Sequence, residues 1–165
     1  MFYHVRDFIK DWQKESANTM KIMQQLTDDS LNQRVTAQGR SLGRIAWHII
    51  TCLGEMTQRM GLATEAPAEN APVPVKAQDI IIAYERAAGS LLTAIQEWQD
   101  ADLNKADDMY GEQWKRGFSL KVLLRHEIHH RAQMTILMRQ AGLAVPGMYG
   151  PSREEWSQFG APPQE

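Results

Sequence analysis

The sequence predicts an all-α protein, a four-helix bundle closed by a short C-terminal helix. Three observations predict it. Four long segments carry apolar residues at helical spacing. The segments between them are rich in Pro, Gly and Asp. Nowhere does an apolar/polar alternation of the kind a strand requires appear. Long helices with little else bury their apolar stripes best against one another. The 165 residues, 43% of them hydrophobic and 23% charged, suit one domain spanning 1–165 with a full core.

The first helix is expected from about residue 3 to 27. This stretch lacks Pro and Gly and spaces Phe8, Trp12, Met20, Met23 and Leu26 for one face. The polar, turn-rich stretch from Thr27 to Arg40 ends it. Ser41 is a suitable N-cap for a second helix running to about Met60. Its centre, Ile45 to Leu53, is apolar nearly all round, which implies burial on more than one side. Residues 61–77 contain Pro67, Pro72 and Pro74 and cannot continue a helix. This link is long enough to cross over the end of a bundle. The third helix is expected from about Gln78 to Gln99. A second long connection, 101–118, follows, with Asp107 and Asp108 read as a solvated turn. The fourth helix is expected over about 119–141, with Gly142 as its breaker. Ser152-Arg-Glu-Glu155 is a capping box that opens the short terminal helix.

Composition excludes several function classes. The net charge is −2 and the basic residues are scattered, which argues against a nucleic-acid binder. No apolar run is long enough for a membrane span, and charges from Arg6 onward interrupt any signal peptide. The single cysteine, Cys52, excludes an intrachain disulfide and fits a reducing cytoplasm.

The most informative residues are histidines. His126 and His130 stand four apart on the fourth helix and therefore share a face. At about 100° per residue they fall on the stripe of Leu123, Met134 and Leu137, opposite Lys121, Arg125 and Arg139. Two titratable rings thus point where a core belongs, and burying them without partners is costly. Two imidazoles in this relation can share one metal ion. His48, in the most apolar part of the second helix, is the natural third ligand, because ligands from facing helices converge inside bundles. Three neutral imidazoles leave positions open, as in catalytic rather than structural sites. Cys52 and Glu55 follow His48 on nearly the same face, and either is a fourth ligand, an outer-shell acceptor or a proton carrier. Glu127, beside His126, is expected to lean to the same face and to orient an imidazole or act as a base. Glu55 can equally pair with Arg59 one turn on. His4 and His129 are read as non-ligands, and Trp114 and Tyr149 as pocket-rim residues. Ligation needs neutral rings, so any metal-derived stability should fade on acidification toward and below about pH 6.5.

Three segments together resemble the DinB superfamily: Ile45-Ala-Trp-His48-Ile, His126-Glu-Ile-His-His130-Arg-Ala-Gln and Val145-Pro-Gly-Met-Tyr-Gly-Pro. Ala132 stands where many members carry Gly, a departure that leaves the histidines intact. The resemblance implies an up-down-down-up four-helix bundle that forms homodimers and holds a divalent metal ion on His48, His126 and His130. Members with assigned activity include thiol transferases and isomerases that use low-molecular-weight thiols, and many are described as metal-dependent hydrolases. An all-nitrogen ligand set suits Zn, Ni or Fe. The function expected is therefore a metal-dependent enzyme activating a water or a low-molecular-weight thiol for a small-molecule substrate, with Glu55 or Glu127 moving the proton. The alternative is a non-catalytic sensor or stress bundle that binds a metal or a small ligand.

Overall fold

The computed structural model describes residues 1–163. Four helices dominate it: α1 (Val5–Met23), α2 (Leu42–Arg59), α3 (Ala77–Ile95) and α4 (Arg116–Gln140). One continuous core joins them, built on fully buried Phe8, Trp12, Ile22, Ile50, Leu53, Tyr84, Leu91 and Leu120. Helix α4 packs on α1 and α2, and α3 packs on the same two. Helices consecutive in sequence, α1 with α2 and α3 with α4, are therefore not the main packing partners, and their links must cross the bundle. Among the described residues no helix is long and apolar enough to cross a membrane.

The helix ends show local and distant capping. Ser41 accepts a hydrogen bond from the Arg44 amide at 3.2 Å, as the sequence predicts. Lys76 and His4 precede α3 and α1 and offer no side-chain cap. Carboxylates from elsewhere replace them. Asp28 accepts from the Ala77 amide at 2.8 Å, and Asp100 accepts from the Val5 amide at 2.8 Å. Each satisfies an orphan helix donor and places a negative charge at the positive end of the helix dipole. Gly142, at φ +76°, ends α4 in the left-handed region that side chains avoid.

The link after α2 does not arch over the bundle end. It lies along α2 and α3. Ala71 accepts a hydrogen bond from Trp47 Nε1 at 3.0 Å, and the Glu65 amide donates to Ser90 on α3 at 2.8 Å. Gly54 permits this course, because a Cβ there would lie 2.6 Å from the Ala66 methyl.

The stretch 101–118 differs most from expectation. It contains a hairpin, β1 (Ala106–Met109) and β2 (Glu112–Lys115), with Asp107 opposite Trp114. Tyr110 and Gly111, both at positive φ, form its two-residue turn. The strands are too short and polar to alternate visibly, and Tyr-Gly is a weak turn signal. Asp107 is no solvated turn residue. Both its oxygens accept from Arg116, at 2.8 and 3.0 Å, and that guanidinium lies over the Trp98 ring. This pairing draws the start of α4 back to Arg116. The terminal capping box forms as expected, around a 3₁₀ helix at Arg153–Phe159.

Core packing should dominate stability. Leu53→Ala, at a position with no solvent exposure, should cost about 2–5 kcal/mol in denaturant unfolding. Val75→Ala, at an 81% exposed site, should stay within about 0.5 kcal/mol.

Candidate metal centre

Helices α2 and α4 bring His48, His126 and His130 together. One nitrogen from each ring lies within 4.8 Å of those of the other two. The Nε2 atoms of His126 and His130 are 3.1 Å apart. The His48 ring centre is 5.1 Å from that of His126 and 4.7 Å from that of His130. Two nitrogens bound at about 2.0–2.1 Å to one ion would themselves lie about 3 Å apart, so the His126–His130 spacing fits a shared ion.

The tautomer of His130 follows from Gln133. The carboxamide oxygen of Gln133 lies 2.7 Å from His130 Nδ1 and can only accept, so Nδ1 carries the proton. The lone pair is then on Nε2, facing His126. Such a hydrogen bond to the outer ring nitrogen is what orients metal-ligating imidazoles. The Gln133 amide also meets His129 Nε2, at 3.0 Å. His129 is exposed and outside the trio, as expected.

The rings are electrostatically suited to cations. Burial, then the neighbouring His130 and His126 rings, lower His48 from 6.5 to about 4. Burial, then His130 and His129, lower His126 to about 4. Burial also lowers His130, against the Gln133 hydrogen bond. Neutral imidazoles with converging lone pairs are the form in which histidine binds metal. The residues present therefore fit a divalent ion held by three nitrogens.

The other expected site residues fall in different places. Cys52 Sγ lies 3.3 Å from His48 Nδ1 and is outside the converging set. Burial, then the charge of Glu55, push its thiol up to about 11, which favours an inert thiol. Glu55 pairs with Arg59 and accepts from the Tyr110 hydroxyl at 2.6 Å. Its charge reaches His126, whose affinity for protons it raises.

Glu127 is a correction. Adjacent residues on a helix are about 100° apart, and that angle turns Glu127 away from the histidines and toward α1 and α3. It accepts from Thr19 and Tyr84 hydroxyls, both at 2.7 Å. It is fully enclosed, and burial holds its carboxyl above the usual range. Tyr149 is a second correction. It rims no histidine pocket; its hydroxyl donates to Glu15 at 2.7 Å and accepts from Arg131 at 2.8 Å. Trp114 donates to Glu112 and stacks edge-on with Tyr110 and Phe118.

Sequence reasoning gave two features no role, although Gln133 closes the second of the DinB-like segments. Gln133 was signalled by its position three residues after His130, one helical turn away. The cleft beside His130 is bordered by Val35, Gly39 and Arg40, from a turn-rich stretch that carried no functional signal.

The chain is similar to known proteins. The DinB family model matches residues 1–165. The chain belongs to the DinB family. It is 45% identical over 161 residues to the Bacillus subtilis (strain 168) protein YrdA, covering 97% of this chain and 96% of that one. A crystal structure of a DinB-like protein from Bacillus cereus ATCC 10987 superposes with a TM-score of 0.87 at 39% identity, over 90% of this chain and all of that one. A second DinB-like structure, YjoA of Bacillus subtilis, gives 0.70 at 15% identity over 86% of this chain and 96% of that one. That second likeness extends the DinB fold to chains with little sequence in common.

The depressed histidines fix the sign of a pH dependence. In the unfolded chain the rings take up protons near pH 6.5; in the fold His48 and His126 do so only near 4. Between these values the unfolded state binds more protons. The stability contributed by the neutral rings is thus complete above about pH 6.5 and lost as pH falls toward 4. Urea unfolding of metal-free protein should show that decline, and His48→Phe should flatten it. Protons compete for the folded site only near pH 4, so metal-derived stability should persist well below the 6.5 expected from unperturbed rings.

Proposed function

We propose that this DinB family member is a metal-dependent enzyme whose ion, Zn, Ni or Fe, is held by His48, His126 and His130. The observation that carries the reading is the convergence of three neutral imidazoles from α2 and α4, with no fourth carboxylate, thiol or imidazole donor in the set among the described residues, beside an open cleft that reaches His130. A closed structural site would have four protein ligands. Such an ion supplies Lewis acidity, lowering the pKa of a water or a low-molecular-weight thiol so that it attacks at neutral pH. The reaction is hydrolysis or thiol transfer on a small molecule.

The chain's own residues divide the remaining work. Gln133 holds His130 in the tautomer that presents Nε2. Glu55 is the carboxylate whose charge reaches His126, and it takes the proton released by the nucleophile. Arg59 and Tyr110 hold it in place. Glu127 serves the bundle instead, because its hydrogen bonds are committed to α1 and α3. We place the enzyme in the cytoplasm, where its lone Cys52 stays reduced. As a homodimer it would match the assembly its family resemblance implies.

Elemental analysis of protein purified from metal-supplemented cultures should find about one divalent ion per chain. His126→Ala and His130→Ala should abolish it, Gln133→Leu should weaken affinity by about 10–100-fold, and His129→Ala should leave it unchanged. At a hundredfold excess of metal over Kd the gain in stability should be about 2.7 kcal/mol. Metal-loaded protein should turn over members of an ester and thiol–electrophile panel, and Glu55→Gln should lower kcat with the metal retained. Full metal content with no turnover across the panel would leave a non-catalytic binding bundle.

A further inference from the structure

Beside His130 a cleft of about 390 Å³ opens between the end of the α1–α2 connection and α4. Its walls are Val35, Ile45, Ile136 and Leu137, and Arg40 and His130 also line it. The volume suits a small ligand. Val35 and Ile136 are 62% and 58% exposed, on opposite banks of one cleft. Single exposed aliphatics are ordinary, but apolar walls meeting at a polar ring are the usual form of a ligand site.

Arg40 gives the cleft a charge. Arg59, Arg116, Arg131 and Arg139 each pair with a carboxylate. Among the described residues none lies within ion-pair distance of Arg40. Arg40 thus lines the same cleft as His130 with no carboxylate paired to its guanidinium. A planar guanidinium matches a carboxylate in shape, through two parallel N–H donors.

We infer that this cleft takes small monocarboxylates with an apolar body, the carboxylate on Arg40 and the body between Val35 and Ile136, so that the ligand's other end lies at His130. The inference names a substrate class for the proposed enzyme and rests on that reading only for the reaction, not for the binding.

The test titrates 4-phenylbutyrate and its neutral amide into the full chain by calorimetry, with amide shifts in ¹⁵N spectra to locate them and metal content measured on every sample. The acid should bind about tenfold tighter than the amide, the worth of one charge-assisted hydrogen bond. Shifts should centre on Arg40, Gln133 and Ile136. Arg40→Gln, at an exposed position, should bring the ratio to about one with metal content unchanged. Ile136→Asp should weaken both ligands. His48→Ala should lose metal and keep the acid's advantage. Equal binding of acid and amide to the wild type overturns the inference, as does a ratio that survives Arg40→Gln. A ratio that collapses in His48→Ala instead would put the carboxylate on the ion and overturns it too. An Arg40-dependent preference in protein that holds no metal leaves this inference standing and removes the metal reading; normal metal content without the preference does the reverse.

Discussion

The structure depends on helix α4 being polar on two buried sides at once. Toward α2 it presents His126 and His130; toward α1 and α3 it presents Glu127 and Arg131. A helix of this kind cannot be held by an apolar stripe alone, since each buried polar group is costly until partnered. Its neighbours are therefore specified residue by residue. Glu15 pairs with Arg131 at 2.6 Å; Thr19 and Tyr84 donate to Glu127; Gln133 completes His130. The contacts to Glu15, Thr19 and Tyr84 fix the axial position and rotation of α4 against α1 and α3. The histidine geometry is a consequence of that fixed rotation.

The two polar sides differ in electrical character, and the difference assigns their roles. On the α1 and α3 side, opposite charges are paired and enclosed. Arg131 is 2% exposed, and it donates to the Glu15 side chain, the Glu15 backbone and Thr19. Such a network spends most of its polar groups on one another, with one Glu127 carboxylate oxygen left unpartnered among the described residues. On the α2 side, three rings are gathered with no carboxylate among them, and burial keeps them neutral. Lone pairs converge there without protons or counter-charges to occupy them. Imidazoles placed in this way are stabilised most by a cation that accepts all three.

The segments between helices complete the picture. The α1–α2 connection supplies Asp28 to cap α3, then Val35 and Arg40 to border the cleft, then Ser41 to cap α2. One stretch of turn residues thus joins bundle assembly to ligand access. The hairpin does the same at Glu55: Tyr110, held at positive φ in its turn, donates to that carboxylate while Arg59 lies over the Tyr110 ring. A carboxylate clamped in this way has little freedom to move, and its charge is felt at His126. Arg116, stacked on Trp98 and paired with Asp107, ties the hairpin to the first turn of α4.

The sequence by itself determined what depends on local periodicity and local chemistry. The four helices, the Ser41 cap, the Gly142 stop, the Ser152–Glu155 capping box and the shared face of His126 and His130 all arise within one or two turns of chain. Pairing His48 with them needed only the inference that a histidine in an apolar helix must find partners. Tertiary structure decided whatever depends on rotation about a helix axis or on distant chain. Glu127 lies 100° from His126, and which neighbour it faces depends on where α1 and α3 pack. Asp28 and Asp100 cap helices 49 and 95 residues away in sequence, and no local pattern marks them. Tyr149 was expected at a pocket rim because it sits in a loop, but its hydroxyl reaches Glu15, 134 residues distant. Arg40 carried no signal either, because a lone arginine in a turn has meaning only once the fold sets it in one cleft with His130 and an apolar wall.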